Sequence, residues 1–239
     1  MKIGIMQPYL FPYLGYFQLL NEVDKYVIFD EAQYIKQGWI NRNRLLGDTK
    51  GLNIPYFNFS IQKSSMTDSI ITKQYSSLEL NKKTLLDRIQ HVYKKAKFYD
   101  DTVGLIKDIL AFEEFNVAKF NSYSIKKIAD YLNIKTEIII SSEIMEKNYR
   151  VDELKCQEMV LHACKYFNAS DYINAIGGTE LYDKKVFAKS GINLHFLKTE
   201  ELEYKQFTDH FVPNLSIIDV LMFNSREDVQ KLLKKFTLV

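Results

Sequence analysis

The chain has 239 residues, of which 46% are hydrophobic and 26% charged, a composition typical of a folded soluble protein rather than a disordered or fibrous one. Its 32 basic and 30 acidic side chains give a formal net charge of +2, so no global positive field favours nucleic acid or an anionic membrane. No run approaches the roughly 20 apolar residues of a membrane span, and Gln7, Pro8 and Pro12 interrupt the N-terminal apolar run, unlike a signal peptide. We therefore expect a cytoplasmic protein with no nucleic-acid partner and no membrane span.

The N-terminal part of the chain predicts a β-α-β unit followed by a hairpin. Residues 2–7 form a short apolar run that indicates a buried strand, and residues 14–23 have helical periodicity. Residues 25–30, with the sequence KYVIFD, indicate a second buried strand, parallel to the first because it follows a helical crossover. Two apolar runs flank GDTKG at residues 47–51 and predict a β-hairpin within residues 42–62.

Helical periodicity then dominates residues 77–132, where three amphipathic segments follow one another. Beyond them the chain predicts strands at 136–141, 171–176 and 192–198, and helices at 152–167, 181–190, 216–223 and 226–236. Alternation of strands and helices at both ends predicts a Rossmann-like parallel α/β sheet flanked by helices, with a β-hairpin and a helical insertion in the middle. We expect a single α/β domain over residues 1–239, with about 77–132 as a helical insertion or subdomain.

Polar side chains and glycines follow three of the predicted strands, at the edge where doubly wound sheets bind ligands. These junctions are QPYLFPYLGY, DEAQYIKQGWINRNRL and NAIGGTELY. Helix N-termini near Leu14 and Thr179 suit a phosphate, and Arg42 and Arg44 could add bidentate contacts. The junctions therefore predict a small-molecule nucleotide or nucleotide sugar as ligand. The predicted ligand-binding residues are Tyr9, Tyr13, Gly15, Tyr16, Gln33, Trp39, Asn41, Arg42, Asn43, Arg44, Gly177, Gly178 and Tyr182.

Several common arrangements of catalytic residues are absent from the sequence, which leaves few candidates for the reacting groups. The four histidines are scattered, no His, Cys or Asp spacing matches a metal site, and no G-x-S-x-G motif occurs. We therefore expect neither a zinc enzyme nor a triad hydrolase, and no cofactor is indicated. Asp30, at the end of the second strand, is the best-placed general base, and Gln7, at the end of the first, is the second candidate catalytic residue. Asp219 ranks lower because a helical segment carries it.

Each of these features also has a structural interpretation. Tyr9 and Tyr13 could pack in the core. Arg42 and Arg44 alternate with asparagine, as on a solvated strand face, and the glycine pair at 177–178 fits a tight strand-to-helix turn. Their joint placement at three strand ends favours a binding site.

Four blocks of sequence, in order along the chain, resemble one known family. They are KIGIMQPYLFPYLGYFQLL, VDKYVIFDEAQYIKQGWINRNRL, GGTELYDKKVFAKSGINLHFL and LSIIDVLMFN, and together they are similar to the WbqC-like family. Members of that family are linked with bacterial O-antigen and other surface polysaccharide gene clusters, so the resemblance implies a role in such a pathway.

A more distant likeness concerns the layout of residues 6–30, in which a strand is followed by a Pro-containing loop, a Gly, a helix and an apolar second strand. MQPYLFPYLGYFQLLNEVDKYVIFD is similar in this layout to HIGH-motif nucleotidyltransferases such as pantothenate synthetase. Gln7, Tyr13 and Tyr16 stand where that superfamily has histidines, which argues against adenylylation and leaves a nucleotide-sized crevice.

The resemblance and the predicted site together imply a transferase that moves an acyl or aminoacyl group to the amine of a nucleotide-linked amino sugar. Arg42 and Arg44 would hold the diphosphate, and Trp39 and the tyrosines would stack on base or sugar. Asp30 would deprotonate the amine, and the asparagines next to the two arginines would bind hydroxyls or an oxyanion. Two alternatives stay open: an ATP-dependent ligase or nucleotidyltransferase with a HIGH-like crevice, and a non-catalytic sugar-binding or assembly protein.

Overall fold

A six-stranded, mostly parallel sheet lies at the centre of the protein. The computed structural model describes residues 1–47, 53–65, 67–144 and 156–239. Its strands are β1 (Lys2–Met6), β2 (Lys25–Ile28), β3 (Arg42–Arg44), β4 (Tyr56–Asn58), β5 (Glu137–Ile140), β6 (Asp171–Ala175), β7 (Asn193–Thr199) and β8 (Phe236–Leu238). The order across the central sheet is β5-β2-β1-β6-β7-β8, and β3 and β4 form a separate pair.

The strand order is that of a doubly wound fold. β1 pairs in parallel with β2 and β6, β5 extends the sheet beyond β2, and β7 extends it beyond β6. β8 adds to β7 in antiparallel orientation. The parallel strands thus run from β1 towards one edge and then from β6 towards the other, as in Rossmann-like sheets. This topology confirms the fold class predicted from the sequence.

Helices cover both faces of the sheet. They are α1 (Leu14–Glu22), α2 (Leu78–Tyr93), α3 (Tyr99–Leu110), α4 (Val117–Tyr131), α5 (Ser141–Ile144), α6 (Cys156–Tyr166), α7 (Lys184–Lys189), α8 (Ile217–Phe223) and α9 (Arg226–Leu232). Across the described ranges, no helix combines the length and apolar character needed to cross a membrane.

Alternation along the strands divides the buried side chains between two cores. Ile3 and Ile5 of β1 point into a smaller cluster with α6 and α7, whereas Tyr26 and Ile28 of β2 point into a larger one. The larger cluster joins buried residues of α1, α2, α3, α4, α8 and α9 continuously. The helices within residues 77–132 thus pack in the same cluster as one face of the sheet, and a single domain over residues 1–239 stays a prediction.

The predicted hairpin is present as the β3–β4 pair. Arg42 lies opposite Asn58 and Arg44 lies opposite Tyr56 in an antiparallel ladder. Most of the predicted GDTKG turn, residues 48–51, lies outside the described residues. The first four residues of the helix predicted at 152–167 also lie outside them.

The C-terminal helix is shorter than the periodicity predicts. The amide of Gln18 is fully buried and donates hydrogen bonds from Nε2 to the carbonyls of Leu232 and Lys235, at 2.9 and 3.0 Å. These bonds satisfy carbonyls at the end of α9, and the chain then turns into β8 beside β7. The helix predicted at 226–236 therefore ends at Leu232, and β8 was not predicted. The third insertion helix also begins at Val117, five residues earlier than predicted, because the side chain of Asn116 caps it.

Buried polar side chains hold the loop between β1 and α1. Asn43 donates from Nδ2 to the carbonyls of Leu10 and Phe11, at 3.2 and 2.8 Å, and Ser216 Oγ donates to Phe11 as well. Asn121 donates to the carbonyls of Pro8 and Ile40. Because Phe11 has a φ of 43°, in the left-handed region, the loop needs such bonds to hold its shape.

We expect Asn121→Ala to lower the free energy of unfolding by about 3 kcal/mol, because it leaves buried hydrogen-bonding groups unpaired. Asn121 is 0% exposed, and it also accepts a hydrogen bond from the Tyr75 hydroxyl at 2.7 Å. Urea unfolding measures the loss. Gln90→Ala, at an exposed amide on α2, is the control and should stay within about 0.5 kcal/mol of the parent. A loss no larger than that of the control would contradict the role assigned to Asn121.

Candidate functional site

The strand order reverses between β1 and β6, and this reversal places a crevice at one edge of the sheet. The chain leaves β1 through α1 towards β2, whereas it leaves β6 through α7 towards β7. In open parallel sheets, ligands bind outside the carboxyl ends of the strands at such a point. The segments that follow β1, β2, β6 and β7 all lie at this edge.

A cavity of about 700 Å³ opens there, between the N-terminus of α1 and the segment that follows β7. We call it the β7 crevice. Tyr13, Leu14 and Gly15 form one side, and residues between Thr199 and Leu215 form the other. Its volume lies within the range of small-molecule sites. The sequence-predicted residues Tyr13 and Gly15 therefore line this cavity.

The ring of Tyr13 leaves no room for a side chain at Gly15. A Cβ atom at Gly15 would lie 2.4 Å from Cε2 of Tyr13 and 3.0 Å from the hydroxyl of Thr199. The Tyr13 ring thus lies directly over the first turn of α1. Burial raises the pKa of the Tyr13 hydroxyl, so this group is protonated at neutral pH. It can therefore donate a hydrogen bond into the crevice.

The rim opposite Tyr13 carries negative charge. Glu200, Glu201, Glu203 and Asp209 line the crevice, and all four are exposed. Carboxylates grouped in this way attract a cation or an amine and repel an anion. This rim was not predicted from the sequence. The predicted site comprised the segments after three strands and did not include the segment after β7, where the sequence reads TEELEY.

A wall of arginines and aromatic rings adjoins the crevice on the β3–β4 hairpin. The guanidinium of Arg42 lies 4.4 Å from the ring centre of Tyr56, and that of Arg44 lies 5.7 Å from Trp39. Arg44 also donates from Nη2 to the carbonyl of Asn214, which lines the crevice, at 3.2 Å. We call Trp39, Arg42, Arg44 and Tyr56 the arginine wall. The Nε atom of Arg44 is buried and has no hydrogen-bond partner among the described residues.

A buried carboxylate lies behind the crevice. Asp219 is fully buried and accepts hydrogen bonds from the hydroxyls of Tyr93 and Tyr204, both at 2.7 Å, and from Gln206 at 2.8 Å. Burial raises its pKa to about 6, although the three hydrogen bonds oppose this rise. Because Tyr204 lines the crevice, Asp219 lies one hydrogen bond away from it. Sequence analysis ranked Asp219 low, since a helical register does not show burial.

Asp30 lies in a different cavity. This second cavity, of about 330 Å³, lies between the ends of β2 and β5 and one face of α4, and we call it the β2–β5 cavity. Asp30 is 3% exposed, and its carboxylate accepts hydrogen bonds from the hydroxyls of Ser141 and Ser142 and from the amide of Ser142. The structure therefore does not bring Asp30 together with Tyr13 and Gly15 in one cavity.

The asparagines between the arginines use their hydrogen bonds inside the protein. Asn43 holds the β1–α1 loop, as described above, and its Oδ1 accepts from the Arg44 amide. Asn41 donates to Asn58 and to the carbonyl of Phe59, and it accepts from the Tyr34 hydroxyl. Both side chains are buried, so in this structure they position the backbone beneath the arginine wall.

The remaining predicted residues near β1 divide by exposure. Gln7 and Tyr9 are half-buried, and Gln33 is exposed; Gln7 Nε2 donates to the carbonyl of Gln33 at 3.5 Å. Tyr16 is fully buried, and its hydroxyl donates to the carbonyl of Gln7 at 3.0 Å. Burial also raises the pKa of Tyr9 to about 12. Tyr16 therefore supports the strand end, and Gln7 and Tyr9 form part of the surface around it.

The predicted residues after β6 lie at its carboxyl end but face the smaller core. Gly177 is exposed, whereas a Cβ on Gly178 would lie 3.0 Å from the side-chain oxygen of Asn174. The ring of Tyr182 packs against Tyr172 and Phe187. These contacts place Tyr182 in the packing around α7, and none of the three residues lines the β7 crevice.

In the part of the chain that the structure describes, no group of three or more His, Cys, Asp or Glu side chains could hold a metal ion. Cys164 is a buried free thiol whose pKa is raised to about 12 by burial, so it is protonated at neutral pH.

Comparison with known proteins identifies the family. The model of the WbqC-like protein family matches residues 7–231, which include the β1–α1 loop, the arginine wall and the β7 crevice. The chain belongs to the WbqC-like protein family. A relative in Mycobacterium tuberculosis (strain ATCC 25618 / H37Rv), named Uncharacterized protein Rv1507c, is 26% identical to this chain over 234 residues. The aligned residues cover 93% of each chain. No solved structure matches the chain.

The raised pKa of Asp219 predicts a distinctive pH dependence of stability. The folded-state pKa of about 6 lies above the ordinary value of 3.8, so the folded protein binds the extra proton. The contribution to stability is therefore complete below about pH 4 and is lost as the pH rises through about 6, by roughly 3 kcal/mol in total. Asp219→Asn should remove this fall, as measured by urea unfolding at a series of pH values in that window.

Tyr204→Phe provides a second variant for the same measurement. Because the Tyr204 hydrogen bond lowers the pKa of Asp219, its removal should shift the loss of stability to higher pH. Asp108→Asn, at an exposed carboxylate on α3, is the matched control for the charge change. Identical pH slopes for the parent and Asp219→Asn would show that Asp219 titrates normally.

Proposed function

We propose that this protein is a transferase that binds a nucleotide-linked amino sugar in the β7 crevice and transfers an acyl or aminoacyl group to its amine, in the biosynthesis of a bacterial surface polysaccharide. The observation that carries the proposal is the separation of charge along this edge of the sheet. Guanidinium groups lie at the arginine wall, which contacts the crevice through the hydrogen bond from Arg44 to Asn214, and four carboxylates line the crevice itself. A nucleotide-linked amino sugar has the matching arrangement, with a diphosphate at one end and an ammonium group at the other.

The arginine wall supports binding of the nucleotide end. Arg44 has a buried Nε atom without a hydrogen-bond partner among the described residues, so a phosphate oxygen would satisfy it. The rings of Trp39 and Tyr56 lie 6.0 Å apart and are partly exposed, and a nucleobase can stack on such rings. The Rossmann-like strand order independently favours a nucleotide at this edge.

The acidic rim supports binding of the sugar end. Glu200, Glu201 and Glu203 lie along an extended segment directly after β7, and Asp209 faces the same crevice. Carboxylates accept charge-assisted hydrogen bonds from an ammonium group. Tyr13 lies across from them and donates a further hydrogen bond to a sugar hydroxyl.

The reaction itself needs an activated acyl donor and a base. The amine nitrogen attacks the acyl carbon, so a C–N bond forms while the bond between that carbon and its carrier breaks. The carrier leaves with the electron pair, and the amine loses a proton to the protein. Asp219 is suited to receive this proton through the Tyr204 hydroxyl, because its raised pKa makes it a stronger base than an ordinary carboxylate.

The catalytic roles predicted for Asp30 and Gln7 stay predictions. Asp30 lies in the β2–β5 cavity rather than in the β7 crevice, and Gln7 is half-buried at the end of β1. If Asp30→Asn abolished turnover and left affinity for the nucleotide sugar intact, Asp30 would be the base. Retained turnover would favour Tyr204 and Asp219.

Binding of nucleotide sugars tests the nucleotide end of the site. We expect Arg44→Ala to lower the affinity for a nucleotide-linked amino sugar about 10-fold or more, because it removes a charge-assisted contact to phosphate. Arg226→Ala is the matched control, since the guanidinium of Arg226 also lies 5.7 Å from an aromatic ring, that of Tyr131, but on α9. Isothermal titration calorimetry measures both. Equal affinities for the two variants, or binding of ATP in preference to every nucleotide sugar, would overturn the proposal.

Recognition of the amine by the acidic rim is tested by comparing the affinities of two ligands. The double variant Glu201→Gln, Glu203→Gln should bind the amino sugar roughly 3- to 10-fold more weakly, while its affinity for the same nucleotide sugar with a hydroxyl in place of the amine should hardly change. Glu227→Gln, at an exposed position on α9, controls for the loss of charge. If both ligands were weakened equally, the rim would not recognise the amine.

A further inference from the structure

The β2–β5 cavity has two walls of opposite charge. One face of α4 forms the first wall, because Lys119, Ser122, Tyr123 and Lys126 recur at helical spacing and all line the cavity. The second wall consists of Asp30 at the end of β2 and of Ser142 and Glu143 in α5. A ligand in this cavity therefore meets ammonium groups on one side and carboxylates on the other.

The hydroxyl of Ser122 points to a ligand in this cavity. Ser122 is 6% exposed, and its Oγ atom has no hydrogen-bond partner among the described residues. A buried hydroxyl without a partner costs free energy, and a polar ligand atom that contacts it would remove this cost. Because Ser122 lies on the cavity wall, a polar ligand atom can provide this partner.

The rest of the lining is apolar. Ile71, Ala118 and Ile140 contribute aliphatic surface, and the rings of Phe112 and Tyr123 are stacked with their centres 4.2 Å apart. The volume of about 330 Å³ lies at the lower end of the range for small-molecule sites. The cavity thus combines two opposite charges, an unpaired hydroxyl and a hydrophobic surface in a space suited to a small molecule.

We propose that the β2–β5 cavity binds an α-amino acid with an apolar side chain. The α-carboxylate lies against α4, where Lys119, Lys126 and the Ser122 hydroxyl contact it. The α-ammonium group lies against Asp30 and Glu143, and the side chain packs on the aliphatic and aromatic surface. Asp30 already accepts three hydrogen bonds from Ser141 and Ser142, which fix its orientation, and its carboxylate can accept one more.

This site is separate from the β7 crevice. β2 and β7 are three inter-strand spacings apart in the sheet, about 14 Å at 4.8 Å per spacing. The amino-acid site therefore goes beyond the proposed transferase activity and does not depend on it, and binding of an amino acid can be measured without any nucleotide sugar.

The experiment uses the full chain and three matched probes. L-Leucine has both charged groups, isocaproate lacks the amine, and isopentylamine lacks the carboxylate. Calorimetry and thermal shift should show that leucine binds at least about 10-fold more tightly than either analogue, because each analogue loses one charge-assisted contact. L-Valine, L-methionine and L-phenylalanine extend the series to other apolar side chains.

Two serine variants on α4 separate binding from folding. Ser122→Ala removes a hydroxyl that has no partner, so the protein should remain folded while its affinity for the preferred amino acid falls about 3- to 10-fold. Ser124→Ala is the matched control: its Oγ atom is likewise buried and without a partner in the described residues, but Ser124 does not line the cavity. Its affinity should equal that of the parent.

Three results would overturn the proposal. The first is that none of the four amino acids binds at millimolar concentration. The second is that one of the single-charge analogues binds as tightly as leucine. The third is that Ser122→Ala and Ser124→Ala have the same affinity, which would place the ligand elsewhere. Loss of nucleotide-sugar binding in the crevice variants, by contrast, bears only on the proposed transferase activity.

Discussion

The hydrogen bonds that hold the β1–α1 loop are the constraint on which the rest of this structure depends. The loop contains a left-handed residue, Phe11, and its carbonyls are bound by side chains from three distant parts of the chain. Asn43 comes from the hairpin, Asn121 from α4 and Ser216 from the turn before α8. Together these hydrogen bonds bring the hairpin, the helical segment and the C-terminal helices to the same edge of the sheet. The hairpin carries the arginine wall, and the loop itself leads to Tyr13 on one side of the β7 crevice.

The sheet could be predicted because buried parallel strands are short apolar runs, and those runs are clear in this sequence. β1, β2 and β6 begin within a residue of the predicted positions, and the first two insertion helices begin where periodicity indicates them, whereas the third begins five residues earlier, at Val117. The edge strand β8 could not be predicted in this way, since Phe236–Leu238 is too short to show alternation. Its position depends on Gln18, which lies more than 200 residues earlier in the chain.

The candidate site, unlike the sheet, could be predicted only in part from the sequence. Arg42 and Arg44 are half-buried and lie on the opposite face of β3 from Asn43, as the alternation suggests, yet the asparagines at 41 and 43 are buried and bind backbone carbonyls. Composition cannot distinguish an asparagine that binds a ligand from one that binds a carbonyl. The acidic segment after β7 has no regular structure and therefore no periodicity. Its role becomes visible only when the strand order places it beside Tyr13.

The contacts of Gln18 have a practical consequence for work with this protein. Its amide links α1 to the last turn before β8, and its carbonyl oxygen accepts a hydrogen bond from Thr199, a residue of the β7 crevice. The side chain of Gln18 thus connects the segment before β8 to Thr199 in the crevice. Variants that end before Phe236, or fusions of a rigid domain directly to Val239, would disturb the crevice through these contacts. Tags are better attached through a flexible linker.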